Sequence, residues 1–523
     1  MEISDSITTS QHAVSSQDGL YIAALNGERL EIRAAASLGL VRSISTSSKG
    51  PILRWSPVFP ASEPSSRLLL ADDQTVRVWD LHNERWTATI NNGSGGMGNI
   101  VNVEFGRTKD DVVCFSDFGS KVTVWSLKTG RSVEVRDPKF PNTRTFGFRP
   151  TTGLCALLSR PGPHDVLTLH APSSYAVLKM LTLQSVDAQG MRWSPDGRWL
   201  AVWDTPSIGY RVYIYTADGH LYRVYNGHCE EDRLSLGVKS IEWSPRSDHL
   251  AIGGHDRRVT LLSTRTFSPV MFLDHTATIQ LAAEAEVWQE HLSPSLQRSY
   301  NTVSQPVAPP IAPVTPADQA VKTGLSILSS NADGTMVATR DDSAPTTVWL
   351  WDLTKLAASA VLIQHSPIKK LLWHPTLPSI LLIQCSHDEP TIYLYNTISA
   401  VPYPVILPMR KSTGSKFEAK WLQTTSTQKP SLVFSDSHNF LLAWPEGRDP
   451  MDEVNEQGEK NDLMDHSEDS LYDILSGKKP APYMAIDDTE ALVSELEGET
   501  TDMLDDTFAG RRGVSVDSMD ECF

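Results

Sequence analysis

The sequence predicts an all-β protein, a β-propeller of about nine blade units. One pattern recurs roughly every 43–50 residues, and most of the 14 tryptophans fall at the same places within it. Ser-Pro and Pro-Asp-Gly turns follow many of these aromatic positions, because proline presets φ and glycine accepts a positive φ. Four short antiparallel strands with tight turns need about 40 residues, which is the period of one propeller blade.

The first strand of each unit ends in an aromatic residue, the anchor, followed by a turn. The clear anchors are Trp55, Phe105, Phe148, Trp193, Trp243, Trp373 and Trp421. Weaker units near Asp18 and Ile327 bring the total to nine. A ring of seven blades with extra blades beside it is the alternative, since nine exceeds the usual four to eight.

The third strand of each unit alternates apolar and polar residues, as a half-buried strand does. Examples are Thr75–Leu81, Lys121–Leu127 and Thr347–Leu353. Two of these strands end in a Trp-Asp pair, Trp79-Asp80 and Trp351-Asp352. A Trp-Asp pair at this position is typical of a WD repeat.

A further Trp-Asp pair, Trp203-Asp204, falls at the end of a second strand, while Tyr213–Thr216 holds the third-strand position. We favour a structural interpretation, in which Trp203 packs between blades and Asp204 holds its own turn. The alternative is a site on the rim that presents both side chains to a partner. The candidate partner-binding residues are Trp203, Asp204, Tyr210, Arg340, Asp341 and Trp288.

The repeat is interrupted between the sixth and seventh units, at residues 276–322. The insertion opens with IQLAAEAEVWQEHL, which we predict to be a helix with Leu281, Val287 and Trp288 on its apolar face. It then becomes rich in proline, which favours an extended, weakly ordered strap over another sheet. Ser293 and Thr315 each precede a proline here and are candidate phosphorylation sites.

The excess of acidic residues is concentrated at the C-terminal end of the sequence. Residues 446–523 contain 23 acidic and 6 basic residues, which accounts for the whole net charge of −17. We predict a propeller at residues 10–445 and a largely disordered acidic tail at residues 446–523. Two tail segments, Leu471–Ile486 and Asp487–Gly513, mix apolar and acidic residues, as segments that fold on a partner do. A solubilising tail is the alternative.

The sequence contains no pattern that predicts catalysis. Phosphate-binding loops, the dinucleotide fingerprint, the nucleophile elbow and zinc-protease spacing are absent. The five cysteines are far apart, which indicates a reduced thiol inventory and no zinc cluster, so we predict no cofactor and no metal. His255-Asp256 is assigned to a turn. Neither a membrane span nor a secretion signal is evident, and the neutral body predicts no nucleic-acid partner.

Three segments together resemble one known family: Gly190–Gly219, Leu236–Leu262 and Met336–Leu356. They are similar to the WRAP-type WD-repeat proteins of centrosomes and spindle pole bodies, also called WD repeat-containing protein eight. The resemblance extends over residues 10 to 445 and includes Arg298–Val307 of the insertion. The acidic tail has no counterpart in it.

The resemblance implies a non-enzymatic scaffold in the cytoplasm, at the spindle pole body or centrosome. Family members bind a coiled-coil adaptor, anchor microtubule minus ends for spindle organisation and, in some fungi, tether a minus-end-directed kinesin. Two other classes stay open on the residues alone. They are an RNA- or ribosome-associated propeller of the translation-initiation type and a substrate receptor of a ubiquitin ligase.

Overall fold

The computed structural model describes residues 1–46, 50–58, 65–91, 98–117, 121–227, 236–295, 297–312, 323–387, 389–409, 416–423 and 428–448. The predictions made for Thr315 and for the tail beyond residue 448, including both of its apolar segments, lie outside these residues. So do Cys229 and Cys522. The other three cysteines are buried free thiols.

The described residues form nine sheets, each of them one blade, and the strands within a blade run antiparallel to their neighbours except at one inserted strand. The chain starts with two short strands that belong to the last blade, β1 (Glu2–Ile3) and β2 (Ile7–Thr8). Blade 1 contains β3 (Val14–Ser15), β4 (Tyr21–Asn26), β5 (Arg29–Ala34) and β6 (Leu40–Ser45). Blade 2 contains β7 (Ile52–Trp55), β8 (Arg67–Ala71), β9 (Thr75–Asp80) and β10 (Thr87–Asn91). Blade 3 contains β11 (Ile100–Phe105), β12 (Asp111–Ser116), β13 (Lys121–Ser126) and β14 (Ser132–Arg136).

The middle blades repeat this order. Blade 4 contains β15 (Phe146–Phe148), β16 (Cys155–Ser159), β17 (Val166–His170) and β18 (Val177–Thr182). Blade 5 contains β19 (Ala188–Trp193), β20 (Trp199–Asp204), β21 (Val212–Thr216) and β22 (Leu221–Tyr225), with a 3₁₀ turn at Pro206–Ile208. Blade 6 contains β23 (Val238–Trp243), β24 (His249–Gly254), β25 (Arg258–Ser263) and β26 (Pro269–Asp274).

The last blades accommodate the insertion and the chain ends. The insertion contributes β27 (Glu286–Leu292) and β28 (Arg298–Thr302). Blade 7 contains β29 (Leu325–Ser330), β30 (Met336–Asp341), β31 (Thr347–Asp352) and β32 (Ala357–Ile363). Blade 8 contains β33 (Ile368–Trp373), β34 (Ile380–Cys385), β35 (Thr391–Asn396) and β36 (Pro402–Ile406). Blade 9 contains β37 (Glu418–Trp421), β38 (Leu432–Ser435) and β39 (Asn439–Trp444).

The blades stand around an axis with their first strands innermost. Several neighbouring first strands touch directly, including β7 with β11 and β29 with β33. Second strands such as β12 and β34 are buried along their whole length, because both faces of each sheet meet another blade. Fourth strands such as β18 are largely exposed and form the outer wall.

Apolar clusters fill every junction between successive blades and close the ring. The clusters run from the junction of blades 1 and 2 to that of blades 8 and 9, and a last one joins blade 9 to blade 1. In that last cluster Ile22 packs with Phe440 and Leu442. The predicted nine-unit all-β propeller is confirmed, and the alternative of a seven-bladed ring is wrong.

The N-terminal segment completes blade 9. Ile7 pairs with Phe440, and Glu2 pairs with Trp444. Arg448 forms an ion pair with Glu2 at 2.7 Å. The propeller therefore begins at the first residues of the chain, before the predicted boundary at residue 10.

The anchor tryptophans make one repeated hydrogen bond. In each case the indole Nε1 donates to the first-strand carbonyl just before the anchor position of the preceding blade. Trp55 donates to Val14 at 2.9 Å, and Trp243 donates to Arg192 at 3.0 Å. Trp193, Trp373 and Trp421 do the same. The anchors are therefore equivalent wedges between blades.

The insertion is not the predicted helix and strap. Residues 286–302 form a hairpin, and β27 pairs in parallel with β32, so that blade 7 becomes a six-stranded sheet. The strand alternation places Val287 in the cluster between blades 6 and 7 and Trp288 against the cluster between blades 7 and 8. The following stretch is extended and hydrogen-bonded, since Ile279 and Val307 exchange both backbone bonds.

The hairpin is fastened to blade 8 by a buried polar network. The Glu290 carboxylate lies 2.7 Å from Arg298 and accepts a hydrogen bond from the Tyr393 hydroxyl at 2.8 Å. Arg298 also contacts Glu389 at 2.8 Å. The side chains of Glu290 and Arg298 are almost wholly removed from solvent, so their charges depend on these contacts.

Candidate partner-binding site

The candidate site lies where β20 turns into β21 in blade 5. We call this side of the ring the connector face, because it holds the turns between second and third strands and the connections between blades. After Asp204, Thr205 leads into the 3₁₀ turn at Pro206–Ile208, and Gly209 adopts a φ of 98°. Proline favours the start of such a turn, and glycine tolerates its end.

Asp204 holds this loop together. Its carboxylate is fully buried and accepts hydrogen bonds from the Tyr213 hydroxyl at 2.9 Å and from the backbone amides of Asp187 at 3.1 Å and Val186 at 3.3 Å. Burial raises the pKa of Tyr213, and the hydrogen bond to Asp204 adds to that increase. Asp204 does not reach a partner, which corrects its assignment as a partner-binding residue.

Trp203 is half-buried and packs between blades. A Cβ atom on Gly190 would lie 2.6 Å from the Trp203 ring, so the glycine leaves the space that the indole occupies. The ring also borders the apolar cluster between blades 5 and 6. These contacts agree with the structural interpretation of the Trp203-Asp204 pair.

A cleft of about 620 Å³ opens beside this loop. Its lining residues are Gln184, Ile208, Gly209, Tyr210, Arg211, Tyr213, Val224 and Asn226. Tyr210 is 5% exposed and donates to the Ile252 carbonyl at 3.4 Å, so it forms a rigid wall. Arg211 is exposed, as are the neighbouring apolar side chains of Val186 and Leu236. The cleft can hold peptide side chains by apolar contact, amide hydrogen bonds and one guanidinium.

A larger cleft, of about 980 Å³, lies where blades 9 and 1 meet on the opposite face, which carries the turns after the anchors. Its charged side chains Asp18 and Lys429 already form hydrogen bonds that stabilise the fold. Asp18 accepts from the backbone amides of Leu20 at 3.1 Å and Ser65 at 2.9 Å, and Lys429 donates to the Arg448 carbonyl at 2.9 Å. We therefore prefer the blade 5 cleft as the candidate partner-binding site, because the Arg211 guanidinium that lines it is exposed.

Arg340 and Asp341 lie two blades away and join blades 6, 7 and 8. Asp341 forms an ion pair with Arg257 of blade 6 at 2.6 Å, and Arg340 donates to the Ile368 carbonyl of blade 8. The adjacent Asp342 contacts Lys239 at 2.5 Å. Burial alone would raise the pKa of Asp342, but its hydrogen bonds and cationic neighbours hold it below the ordinary value. These residues form interblade contacts, which corrects their assignment to a partner site.

The other two predicted positions lie in the inserted hairpin. Trp288 packs between blades 7 and 8 and is not a surface anchor. Ser293 is at the hairpin tip, where its hydroxyl accepts from the Gln297 amide at 3.0 Å and lies 2.8 Å from the Ser295 hydroxyl. Phosphorylation of Ser293 stays a prediction.

Metal binding and membrane insertion find no support in the part of the chain that the structure describes. It contains no group of three or more histidine, cysteine or acidic side chains arranged for a metal ion. Within the same residues, no helix is long and apolar enough to cross a membrane.

The family model described as the WD domain, G-beta repeat, matches residues 219–261. This range contains the last strand of blade 5, β22, and the first strands of blade 6, which are β23, β24 and most of β25. The matched repeat thus has four strands, but it begins one strand earlier than the structural blade. Residues 219–261 therefore carry a WD repeat, and the chain folds as a propeller of this kind. As a WD-repeat propeller it is a scaffold-type protein, of the kind that supports protein–protein interaction.

Two curated relatives match this WD-repeat protein over most of their length. WD repeat-containing protein WRAP73 of Mus musculus is 28% identical over 414 residues, which cover 75% of this chain and 85% of the relative. An uncharacterised WD repeat-containing protein of Schizosaccharomyces pombe is 28% identical over 404 residues, covering 75% and 80%. The predicted resemblance to WRAP-type WD-repeat proteins is confirmed by this similarity.

A crystal structure of the eukaryotic initiation factor has a similar fold. It superimposes with a TM-score of 0.50 at 11% sequence identity and covers 78% of this chain and 89% of that one. At this identity the likeness describes the propeller architecture alone.

Sequence reasoning missed Ile208 and Arg211, which line the cleft of this WD-repeat protein. The feature of the sequence that could have indicated them is the length of the loop between the second and third strands of blade 5. Seven residues separate β20 from β21, whereas three separate β24 from β25 in the next blade. A long loop between the second and third strands marks a place where a propeller departs from its repeat and can bind something.

Proposed function

We propose that this WD-repeat protein is a non-enzymatic scaffold at the spindle pole body or centrosome. In this role it binds a coiled-coil adaptor and anchors microtubule minus ends for mitotic spindle organisation. A minus-end-directed kinesin is a further proposed partner, and the cytoskeleton of the cytoplasm is the proposed location.

The similarity to WRAP73 over 85% of that protein is the observation that carries this proposal. It spans nearly a whole relative, so it reflects more than the shared WD-repeat fold. The resemblance of the segments around Trp203 and Arg340 to centrosomal and spindle-pole proteins supplies the cellular role.

The chemistry of the ring supports a binding role over catalysis. Its buried charged groups, such as Asp204, Asp341 and Glu290, are each engaged by neighbouring protein groups. Such contacts fix a rigid frame, which suits it to present surface loops to another protein. The blade 5 cleft is the proposed adaptor site, because the exposed Arg211 and the apolar Ile208 and Val224 line a preformed opening.

Affinity purification of a tagged copy from mitotic cells tests the proposal. We expect a coiled-coil pole protein to be recovered and the tag to mark spindle poles. The double variant Ile208→Asp and Arg211→Glu should lose the adaptor, whereas Arg198→Glu, which reverses a 79% exposed guanidinium on the opposite face, should keep it. Recovery of ribosomal subunits or of a ubiquitin-ligase adaptor in its place would refute the proposal.

A further inference from the structure

At three junctions, polar side chains of the first strands connect one blade to the next along the channel wall. The Arg54 guanidinium of blade 2 lies 3.3 Å from the Glu104 carboxylate of blade 3. Arg192 of blade 5 donates to the Ile241 carbonyl of blade 6 at 2.9 Å. Glu242 of blade 6 accepts from a backbone amide of blade 7, at 3.0 Å. Each contact runs forward, from one blade to its successor.

All four charged residues of this pattern occupy one position, directly before the anchor. Lys420 occupies it in blade 9, directly before Trp421. Its forward neighbour is blade 1, where the corresponding residue is Val14, which has no polar side chain. The Val14 carbonyl accepts from Trp55. The backbone of Lys420 pairs with Val433, but among the described residues the Lys420 side chain has no hydrogen bond and no ion pair.

The surroundings of Lys420 are strongly cationic. Its side chain is solvent-accessible, yet burial within the channel lowers its pKa, and nearby Arg54 and Lys370 lower it further. Lys369 also has a lowered pKa, from burial first and then from other lysines around it. Glu104 and Glu418 offset Arg54 and Lys370, and the Lys369 ammonium donates to the Phe417 carbonyl at 3.1 Å. Within the described residues, Lys420 is therefore the cation of this cluster whose side chain has no protein acceptor.

We propose that the channel binds an acidic peptide segment of a protein partner, with one carboxylate at Lys420 and with Arg54 and Lys370 behind it. One unmatched cation fits a single carboxylate better than a multiply charged phosphate. The flanking blades place Val14 and Leu372 at the equivalent positions, which favours an acidic residue between aliphatic ones. This site lies apart from the blade 5 cleft and does not depend on the spindle-pole role.

Fluorescence anisotropy with a labelled, blocked peptide, Gly-Leu-Glu-Leu-Glu-Leu-Gly, tests the site on the full chain. We expect saturable binding that weakens with added salt and a loss of at least about tenfold in affinity for the glutamine counterpart of the peptide. Lys420→Glu should lose about as much, whereas Lys128→Glu, a change at an exposed lysine in an outer turn, should bind like the wild type. Equal binding by all three proteins would overturn the proposal.

Two further variant measurements and a competition with phosphate test whether the Lys420 ammonium binds the peptide carboxylate and whether the site instead binds phosphate. Lys420→Met keeps the aliphatic stem and removes the charge, so it should fold normally by circular dichroism and still bind the peptide about tenfold more weakly. Lys420→Glu should gain affinity for the lysine counterpart of the peptide. Wild-type binding by Lys420→Met refutes the role of this ammonium, and displacement of the peptide by submillimolar inorganic phosphate identifies a phosphate site.

Discussion

Replacing Trp243 by alanine tests the wedge role of the anchor tryptophans. The Trp243 side chain is 5% exposed, belongs to the cluster between blades 5 and 6 and meets the edge of Phe267 at 6.2 Å between ring centroids. Loss of a buried tryptophan costs about 3–5 kcal/mol. Roughly 1 kcal/mol of this is the hydrogen bond to the Arg192 carbonyl. We expect the free energy of unfolding to fall by the full amount.

Urea denaturation followed by far-ultraviolet circular dichroism measures this loss, since that signal does not depend on the removed indole. Trp86→Ala is the matched control. Trp86 is partly exposed and lies under the Arg67 guanidinium at 3.9 Å from its ring centroid, so its loss should cost roughly 1 kcal/mol. Equal losses for the two variants, or a wild-type transition for Trp243→Ala, would refute the reasoning.

Three further predictions concern the hairpin, a buried histidine and ring closure. Glu290→Gln leaves Arg298 without its buried carboxylate and should lower the free energy of unfolding by about 3 kcal/mol in urea; an unchanged midpoint contradicts this. Burial lowers the pKa of His275 to about 4, while the unfolded value is about 6.5. Stability should therefore fall as pH drops from 6.5 to 4, by roughly 3 kcal/mol, because only the unfolded chain takes up the proton. His275→Gln should reduce that slope but not abolish it, because burial also lowers the pKa of His374 to about 4, and an unchanged slope would exclude a contribution from His275. Deletion of residues 1–9 should lower the melting temperature and cause aggregation through the exposed edge of β39; a monomeric protein with normal melting contradicts this.

The blades could be predicted from the sequence because each unit repeats the same short sequence motif. An aromatic anchor followed by a turn, as at Trp193, needs no knowledge of distant residues to be recognised. The weak units have a physical explanation. Ser15 and Ser330 occupy the anchor position in blades 1 and 7, so these two blades lack the aromatic anchor that marks the others. Their strands pair normally because the neighbouring blades supply the packing.

The inserted hairpin was predicted to be a helix because the spacing of its apolar residues fits both the helical period and the strand period. The spacing from Leu281 to Val287 and Trp288 suits one face of a helix, but adjacent residues of a strand point to opposite faces, and Val287 and Trp288 do so. The deciding contact is the parallel pairing with β32, about 70 residues further along the chain. No local pattern contains that information.

The site predictions failed where polar side chains have distant partners. Asp341 was predicted to bind a partner, but its ion-pair partner Arg257 lies 84 residues earlier in this chain. A charged residue in a turn looks the same in sequence whether it contacts solvent or a neighbouring blade. The irregularity of blade 5 could be read from the sequence, because Trp203-Asp204 breaks the repeat there.

The shared ninth blade has a consequence for biosynthesis. Strands β1 and β2 leave the ribosome before the other strands of the ring, and their partner β39 is translated about 430 residues later. At roughly 5–20 residues per second, the leading segment waits on the order of 20–90 s for it. During that interval the nascent protein exposes an unpaired strand and an open arc of blades, so chaperones have their main opportunity to act before translation of Trp444.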